Sequence, residues 1–306
     1  MPSQPVGRSE RSMNADSDLT HLVISAAFVV AGMIFALAAS IGGLRRLSRI
    51  SDASQGRELP PPLPFGKVRV GLYGSLDLLP LILIFSAFSW LVVSSLQASA
   101  STDRELAVSD LVVNIAFQIF VAAMVMIYMA RRTAIADWLG LRWSAWPKMF
   151  LVGPASVIGM WLVFGVLEAC GYMRWMESLG AETVQESVKL LRTTEDPAVL
   201  GLMGFAAVVV APLCEELLFR GYLYPVAKKF TGPWLAACSS GLFFAAAHGN
   251  LTALLPLFLF GLLLVWIYEK TGSLWAPIAV HFCFNSATVI VQILDRYYHI
   301  LPEVAP

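Results

Sequence analysis

Eight stretches of this chain are long and apolar enough to be helices across a bilayer. They lie at about residues 22–44, 78–97, 111–130, 149–167, 197–214, 230–247, 251–268 and 273–294. Crossing the hydrocarbon core takes about 20 apolar residues in a helix, the form that satisfies its own backbone polar groups. The pattern therefore predicts an all-α fold, a polytopic bundle of about eight spans. Composition agrees. Of the 306 residues, 58% are hydrophobic and 14% charged, against about 25% charged in a soluble domain. The net charge is zero, so the basic signature of a nucleic-acid partner is missing. Cys170, Cys214, Cys238 and Cys283 lie in or beside apolar runs without a CxxC pair and read as small buried residues.

The organisation follows from the runs. Residues 1–20 read as a disordered tail, 21–170 as four charge-free transmembrane helices, and 171–197 as an extracytoplasmic loop. Residues 198–295 form a more polar transmembrane core, and 296–306 a C-terminal tail. The first run ends in Leu44-Arg45-Arg46 and is too long for a cleaved signal. Basic residues concentrate after runs 1, 3 and 5: Arg45, Arg46, Arg49, Arg57, Lys67 and Arg69; then Arg131, Arg132, Arg142 and Lys148; then Arg220, Lys228 and Lys229. This alternation predicts both termini outside the cytoplasm. With no organelle signal, the expected home is a bacterial plasma membrane. The Leu-Pro-Pro-Pro-Leu-Pro stretch at 59–64 is a stiff connector. Residues 181–192, with Val184, Val188 and Leu191 at helical spacing, predict a short amphipathic helix on the outer interface.

Ionisable groups at membrane depth are costly and mark candidate sites. The first four runs hold almost none. Asp77 sits at an edge, and Asn114 and Gln118 read as a pair that bonds helix to helix. The last third holds Glu215, Glu216, Arg220, His248, His281 and Asn285. Glu216 and Arg220 are four apart on one helix face, placed for an ion pair. Glu215 is turned away by 100° and has no local partner. That leaves it either a general base or part of a charge cluster at a helix end. Phe244 and His248 share a face, as do His281 and Asn285. At 1.5 Å per residue, Glu215 lies about 20 Å from Lys228, His248 about 24 Å from Gly232 and His281 about 14 Å from Gly272. One polar intramembrane cavity could thus collect all three, provided Pro212 and Pro225 do not break the helix.

Taken in order, Glu215-Glu216-x-x-x-Arg220, Phe244-x-x-x-His248 and His281-x-x-x-Asn285 resemble the CAAX-protease and bacteriocin-processing family of intramembrane proteases, also called CPBP or Abi. Phe219-Arg220-Gly221-Tyr222-Leu223 is similar to the family's continuation. The resemblance covers roughly residues 198–290. It implies an intramembrane endopeptidase acting on a membrane-associated or lipid-modified protein or peptide. In it Glu215 and His248 activate water, and His281 and Asn285 face the same cavity and donate to the oxyanion. Glu216 also belongs to the site, with Arg220 and Phe244 in support.

The preferred reading needs no cofactor. A Zn²⁺ site, if one exists, would use Glu215, His248 and His281 as a His₂Glu set, although no HExxH is present. The rival reading is a non-catalytic membrane scaffold or bacteriocin-immunity-type protein. A rhomboid-like serine protease is disfavoured because Cys238-Ser-Ser-Gly241 lacks the first glycine of its motif. A transporter is disfavoured because no internal repeat is found. Substrate identity and oligomeric state are not legible.

Overall fold

The computed structural model describes residues 19–37, 39–40, 66–101, 108–179, 181 and 186–298. The connector at 59–64, the tail 1–18, Val184 and residues 299–306 lie outside the described residues. Among the described residues the chain is helical, without strands. We number the helices α1 (Leu19–Leu37), α2 (Leu78–Ser101), α3 (Val108–Ala130), α4 (Met149–Ala169), α5 (Tyr172–Ser178) and α6 (Glu186–Thr193). They continue with α7 (Pro197–Thr231), α8 (Pro233–Ala246), α9 (Leu251–Thr271) and α10 (Trp275–Tyr298).

Seven of these, α1 to α4, α7, α9 and α10, are long and apolar enough to span a membrane. The eighth apolar run becomes α8, at 14 residues shorter than a full span. The protein is an all-α, multi-pass integral membrane protein. The helix boundaries have local causes. Asp196 caps α7 by accepting from the Ala198 N–H at 2.8 Å, with Pro197 in the first turn. Asn250 caps α9 in the same way through the Ala253 N–H. Gly272, at φ 70°, ends α9 in the left-handed conformation that costs glycine least.

The fifth run is longer than its apolar part suggests. It continues past the two glutamates to Thr231 as one 35-residue helix. Arg220, which the sequence places among the loop charges, is therefore buried in the middle of α7. Lys228 is buried too, paired with Glu269 at 2.5 Å. Of that basic group Lys229 is exposed. Neither proline breaks the helix. Instead α7 widens into π-turns at Ala206–Val210 and Leu217–Leu223, immediately before Pro212 and shortly before Pro225. A wide turn gives each ring room while the chain stays helical.

The core lies in the last third. The α8 and α9 backbones approach closely where Gly241 meets Gly261, and a Cβ on Gly261 would stand 3.1 Å from the Gly241 Cα. The chain before α2 is strapped across the ends of α7 and α9. The Lys67 N–H donates to the Glu269 carbonyl at 2.9 Å, the Val68 N–H to Glu269 Oε2, and Lys228 Nζ to the Val68 carbonyl. Helix α6 sits against α10, where Arg192 meets Gln292 and Asp295. Asn114 and Gln118 do not bridge helices: Gln118 Nε2 donates to Asn114 Oδ1 within α3, one turn away, so the i,i+4 spacing satisfies the pair locally.

Candidate active site

Glu215 and Glu216 sit between the two π-turns of α7. Being adjacent, they project about 100° apart, and their surroundings differ accordingly. Glu216 is fully buried. Its Oε1 accepts from Arg220 Nη1 at 2.8 Å and lies 2.9 Å from His281 Nδ1. Arg220 is equally buried; its Nη2 donates to the Gly261 carbonyl at 3.2 Å, and its guanidinium lies 4.4 Å from the Phe244 ring centre. A buried carboxylate and a buried guanidinium are tolerable only as such a pair, with further hydrogen bonds and the face of an aromatic ring. The i,i+4 ion pair expected from the sequence is present.

Glu215 is different. Its side chain is 18% exposed, and its Oε2 makes no hydrogen bond among the described residues. The nearest polar partner is His281 Nε2, at 4.0 Å. His281 thus shows one ring nitrogen to each glutamate. Its ring is walled by Phe260, centroids 5.3 Å apart, and Phe244, at 5.9 Å. Phe244 is fully buried and touches Arg220, His281 and His248 together.

His248 lies just past the end of α8 and is exposed. Its ring packs on Phe244 with centroids 4.9 Å apart, and its Nδ1 is 2.8 Å from the Phe244 carbonyl. It joins the cluster through Phe244, and among the described residues it makes no hydrogen bond or ion pair with Glu215. Asn285 is one turn along α10 from His281, but its Nδ2 donates to the Ala207 carbonyl of α7 at 2.7 Å. The structure therefore gathers Glu215, Glu216, Arg220, Phe244 and His281 into one cluster. His248 stands at its rim, and Asn285 is bound to the backbone of the helix that carries the glutamates.

The Asn285 contact has a physical origin. In the first π-turn the Ala211 N–H donates to the Ala206 carbonyl, five residues back. The next bond in that register would run from residue 212 to the Ala207 carbonyl. Residue 212 is proline and has no N–H. Asn285 supplies the missing donor. The second π-turn repeats the problem. The Tyr224 N–H donates to the Phe219 carbonyl; the next bond would run from residue 225 to the Arg220 carbonyl in that register, or to the Gly221 carbonyl in the α register, and Pro225 serves neither. At Gly221 the Tyr73 hydroxyl donates at 3.0 Å, and Tyr73 in turn accepts from Trp138 Nε1 at 2.7 Å. Pro212 and Pro225 announce two unpaired carbonyls in the sequence, but nothing there says that Tyr73 and Asn285 will serve them.

Among the described residues no three His, Cys, Asp or Glu side chains converge as a metal-ligand group. Glu215, His248 and His281, the expected His₂Glu set, are not such a group in this arrangement.

Residues 197–287 match the family model described as type II CAAX prenyl endopeptidase Rce1-like. The resemblance carried by the motifs holds for this segment. Three curated relatives overlap parts of the chain. "Putative membrane peptidase YdiL" of Bacillus subtilis is 29% identical over 92 residues, 30% of this chain and 38% of that protein. "UPF0177 protein YxdF" of Lactococcus lactis is 29% identical over 96 residues, 31% of this chain and 52% of that protein. An Escherichia coli protein described as an uncharacterized 24.3 kDa protein is 38% identical over 78 residues, 24% of this chain and 36% of that protein. The alignments thus span between about a third and a half of each relative. No solved structure matches the chain significantly.

Proposed function

We propose that this protein is an intramembrane endopeptidase that hydrolyses a peptide bond in a membrane-associated or lipid-modified protein or peptide. The Rce1-like match over 197–287 and the membrane-peptidase name of one relative support the class. The observation that carries the reading is the contrast between the two adjacent glutamates. Glu216 is held through Oε1 by both Arg220 and His281 and has no exposure, although its Oε2 is unpaired, whereas Glu215 is partly exposed and its Oε2, without a hydrogen bond, faces His281 Nε2 at 4.0 Å.

Hydrolysis needs a water stripped of a proton and a place for the oxyanion that follows. Glu215 Oε2 is the acceptor for that proton. His281 Nε2, 4.0 Å away, is close enough to share a water with Glu215; with its Nδ1 proton given to Glu216, Nε2 accepts from that water and orients it, and donates to the developing oxyanion in the imidazolium form. The Glu216 carboxylate fixes the His281 ring through Nδ1, and Arg220 compensates the Glu216 charge. His248, at the exposed rim, is placed to meet the substrate and to move a proton to the leaving amine. Asn285 contributes by holding α7 through Ala207; its remaining N–H and its carbonyl oxygen stay available to the site. The natural setting is a bacterial plasma membrane, and with α8 counted as a short eighth crossing both termini lie outside the cytoplasm.

The test compares membrane-protein termini in host cells that carry the wild type or Glu215→Gln at matched expression. The amide keeps the shape and removes the base. Termini that appear only with the wild type are expected, and they identify the substrate. The loss in rate should be about 10²–10⁴-fold, the contribution of a positioned general base. Identical profiles, with a phenotype still attached to deletion of the gene, would instead make the protein a scaffold.

A further inference from the structure

We propose that Tyr73, seated by Trp138, is a positioning residue that holds the Glu215–Glu216 pair in register from outside the segment that matches the family model. The inference rests on the reading of Glu215 as the catalytic base.

Tyr73 lies in the chain before α2, beyond the residues that match the family model. It is 4% exposed, and its hydroxyl has one proton to give and accepts from Trp138. That proton goes to the Gly221 carbonyl, which lies four residues before Pro225 and cannot accept from it. Burial pushes the Tyr73 phenol well above its ordinary value, so the hydroxyl remains a donor throughout the working pH range.

The position of this bond gives it leverage. Gly221 sits inside the π-turn Leu217–Leu223, which begins at the residue after Glu216. A π-turn holds one residue more per turn than the α-helix around it, so its extent sets the angle at which everything N-terminal to it faces the bundle. Without a donor at Gly221, the cheapest rearrangement is to move the wide turn along the helix. Slippage toward the N-terminus carries the wide turn past Glu216 and then Glu215, and each residue it passes turns by about 100°. Space supports the assignment: a Cβ on Gly221 would stand 3.3 Å from Leu139, so this stretch of α7 fits tightly against the loop that carries Trp138. The Tyr73 and Tyr222 rings pack edge to face, 6.2 Å apart, and the Tyr222 hydroxyl donates to the Asp77 carbonyl. Tyr73 thus belongs to a clamp made by the first half of the chain on the catalytic helix. Asn285 clamps the other π-turn from α10, and the glutamates lie between the two.

The experiment is a double-mutant cycle on the full-length protein in lipid nanodiscs, with the substrate found through the Glu215→Gln comparison. Tyr73→Phe removes the donor and keeps the ring. Pro225→Ala restores an N–H four residues from Gly221. Tyr73→Phe should lower kcat about threefold to tenfold, the range of one hydrogen bond, with KM changed less than about twofold. In the Pro225→Ala background the same substitution should have little effect. Amide exchange in residues 217–224, read by mass spectrometry, should rise in Tyr73→Phe and return to the wild-type level in the double variant. An equal loss of kcat in both backgrounds would overturn the proposal, as would unchanged exchange in Tyr73→Phe. If no Glu215-dependent cleavage is found, the catalytic reading fails, and the exchange cycle alone decides whether Tyr73 sets the helix register. Should Tyr73→Phe fail to fold, Trp138→Phe, which unseats the hydroxyl, must show the same pattern at smaller amplitude.

Discussion

In α3, 11% of the residues that span the membrane are buried within the protein; in α9 the share is 50%. The two helices are almost equally apolar, so the difference lies in what each side chain meets. Val113, Phe120 and Ile127 of α3 face outward, where lipid is as good a partner as protein. Phe260, Leu264 and Val265 of α9 pack on α7, α8 and α10. The ionic groups divide in the same way. Among the described residues the early helices keep one buried acid, Asp77, at a helix start, where it meets Arg132 of the loop after α3, the Tyr128 hydroxyl and the Gly74 N–H. The late helices place Glu216 and Arg220 at mid-span with no exposure. The first half is therefore a lipid-facing collar, and the last third is a core dense enough to hold charge. The comparison can be tested by injuring each half equivalently.

The largest difference in stability should separate the two arginines. Arg220→Met leaves Glu216 buried with no cation and should cost about 3–5 kcal/mol. Arg132→Met removes a side chain that is one-third exposed, from an acid that keeps two other donors. It should cost about 1 kcal/mol. Thermal unfolding in detergent checks both. Equal losses would mean that the collar carries as much of the fold as the core does.

An intermediate effect is expected where the halves are joined. Gly66 has φ +63°, and a Cβ there would fall 1.7 Å from Glu269 Oε2. The Glu269 carboxylate cannot retreat easily, because Lys228, the Tyr224 hydroxyl and the Val68 N–H all hold it. Gly66→Ala should therefore cost about 1–3 kcal/mol from the backbone conformation, with more from displacing Glu269. Proteolysis in the 66–73 strap should accelerate while α8–α10 stay protected. If protection falls uniformly, strap and core are a single cooperative unit.

Much of this division is legible in the sequence. Period-free apolar runs locate the spans because a bilayer demands them, and Glu216–Arg220 follows from i,i+4 geometry on one helix. The reach of α7 is not legible. Hydropathy falls at Glu215-Glu216, where the apolar run ends, yet the Glu216 charge is met inside the protein by Arg220 and His281, and Arg220 in turn by the Gly261 carbonyl. Partners distant along the chain are equally hidden. Tyr73 and Gly221 stand 148 residues apart, and Lys228 and Glu269 stand 41 apart. For Asn285, motif position alone suggested an oxyanion donor, whereas the π-turn before Pro212 gives its amide a backbone carbonyl to serve. A proline in a helix shows where a donor will be missing. It does not show which distant side chain will replace it.

The smallest effect should come from the lipid face itself. Leu162 of α4 is 66% exposed and near the middle of its span. Leu162→Ala removes no packing partner and opens no cavity, so unfolding should move by less than about 0.5 kcal/mol. Phe260→Ala, in a side chain 1% exposed and stacked between His281 and Phe284, should cost about 3–5 kcal/mol. A near-zero result at Leu162 has two explanations, a face in water or a face in lipid, and Leu162→Arg separates them. A water-facing position accepts arginine freely. A lipid-facing one charges about 2.5–3.5 kcal/mol for it at the helix centre, which should show as less protein recovered in the membrane fraction. If Leu162→Arg accumulates like the wild type, α4 is not facing lipid at that depth, and the collar described for the first half is wrong on that side.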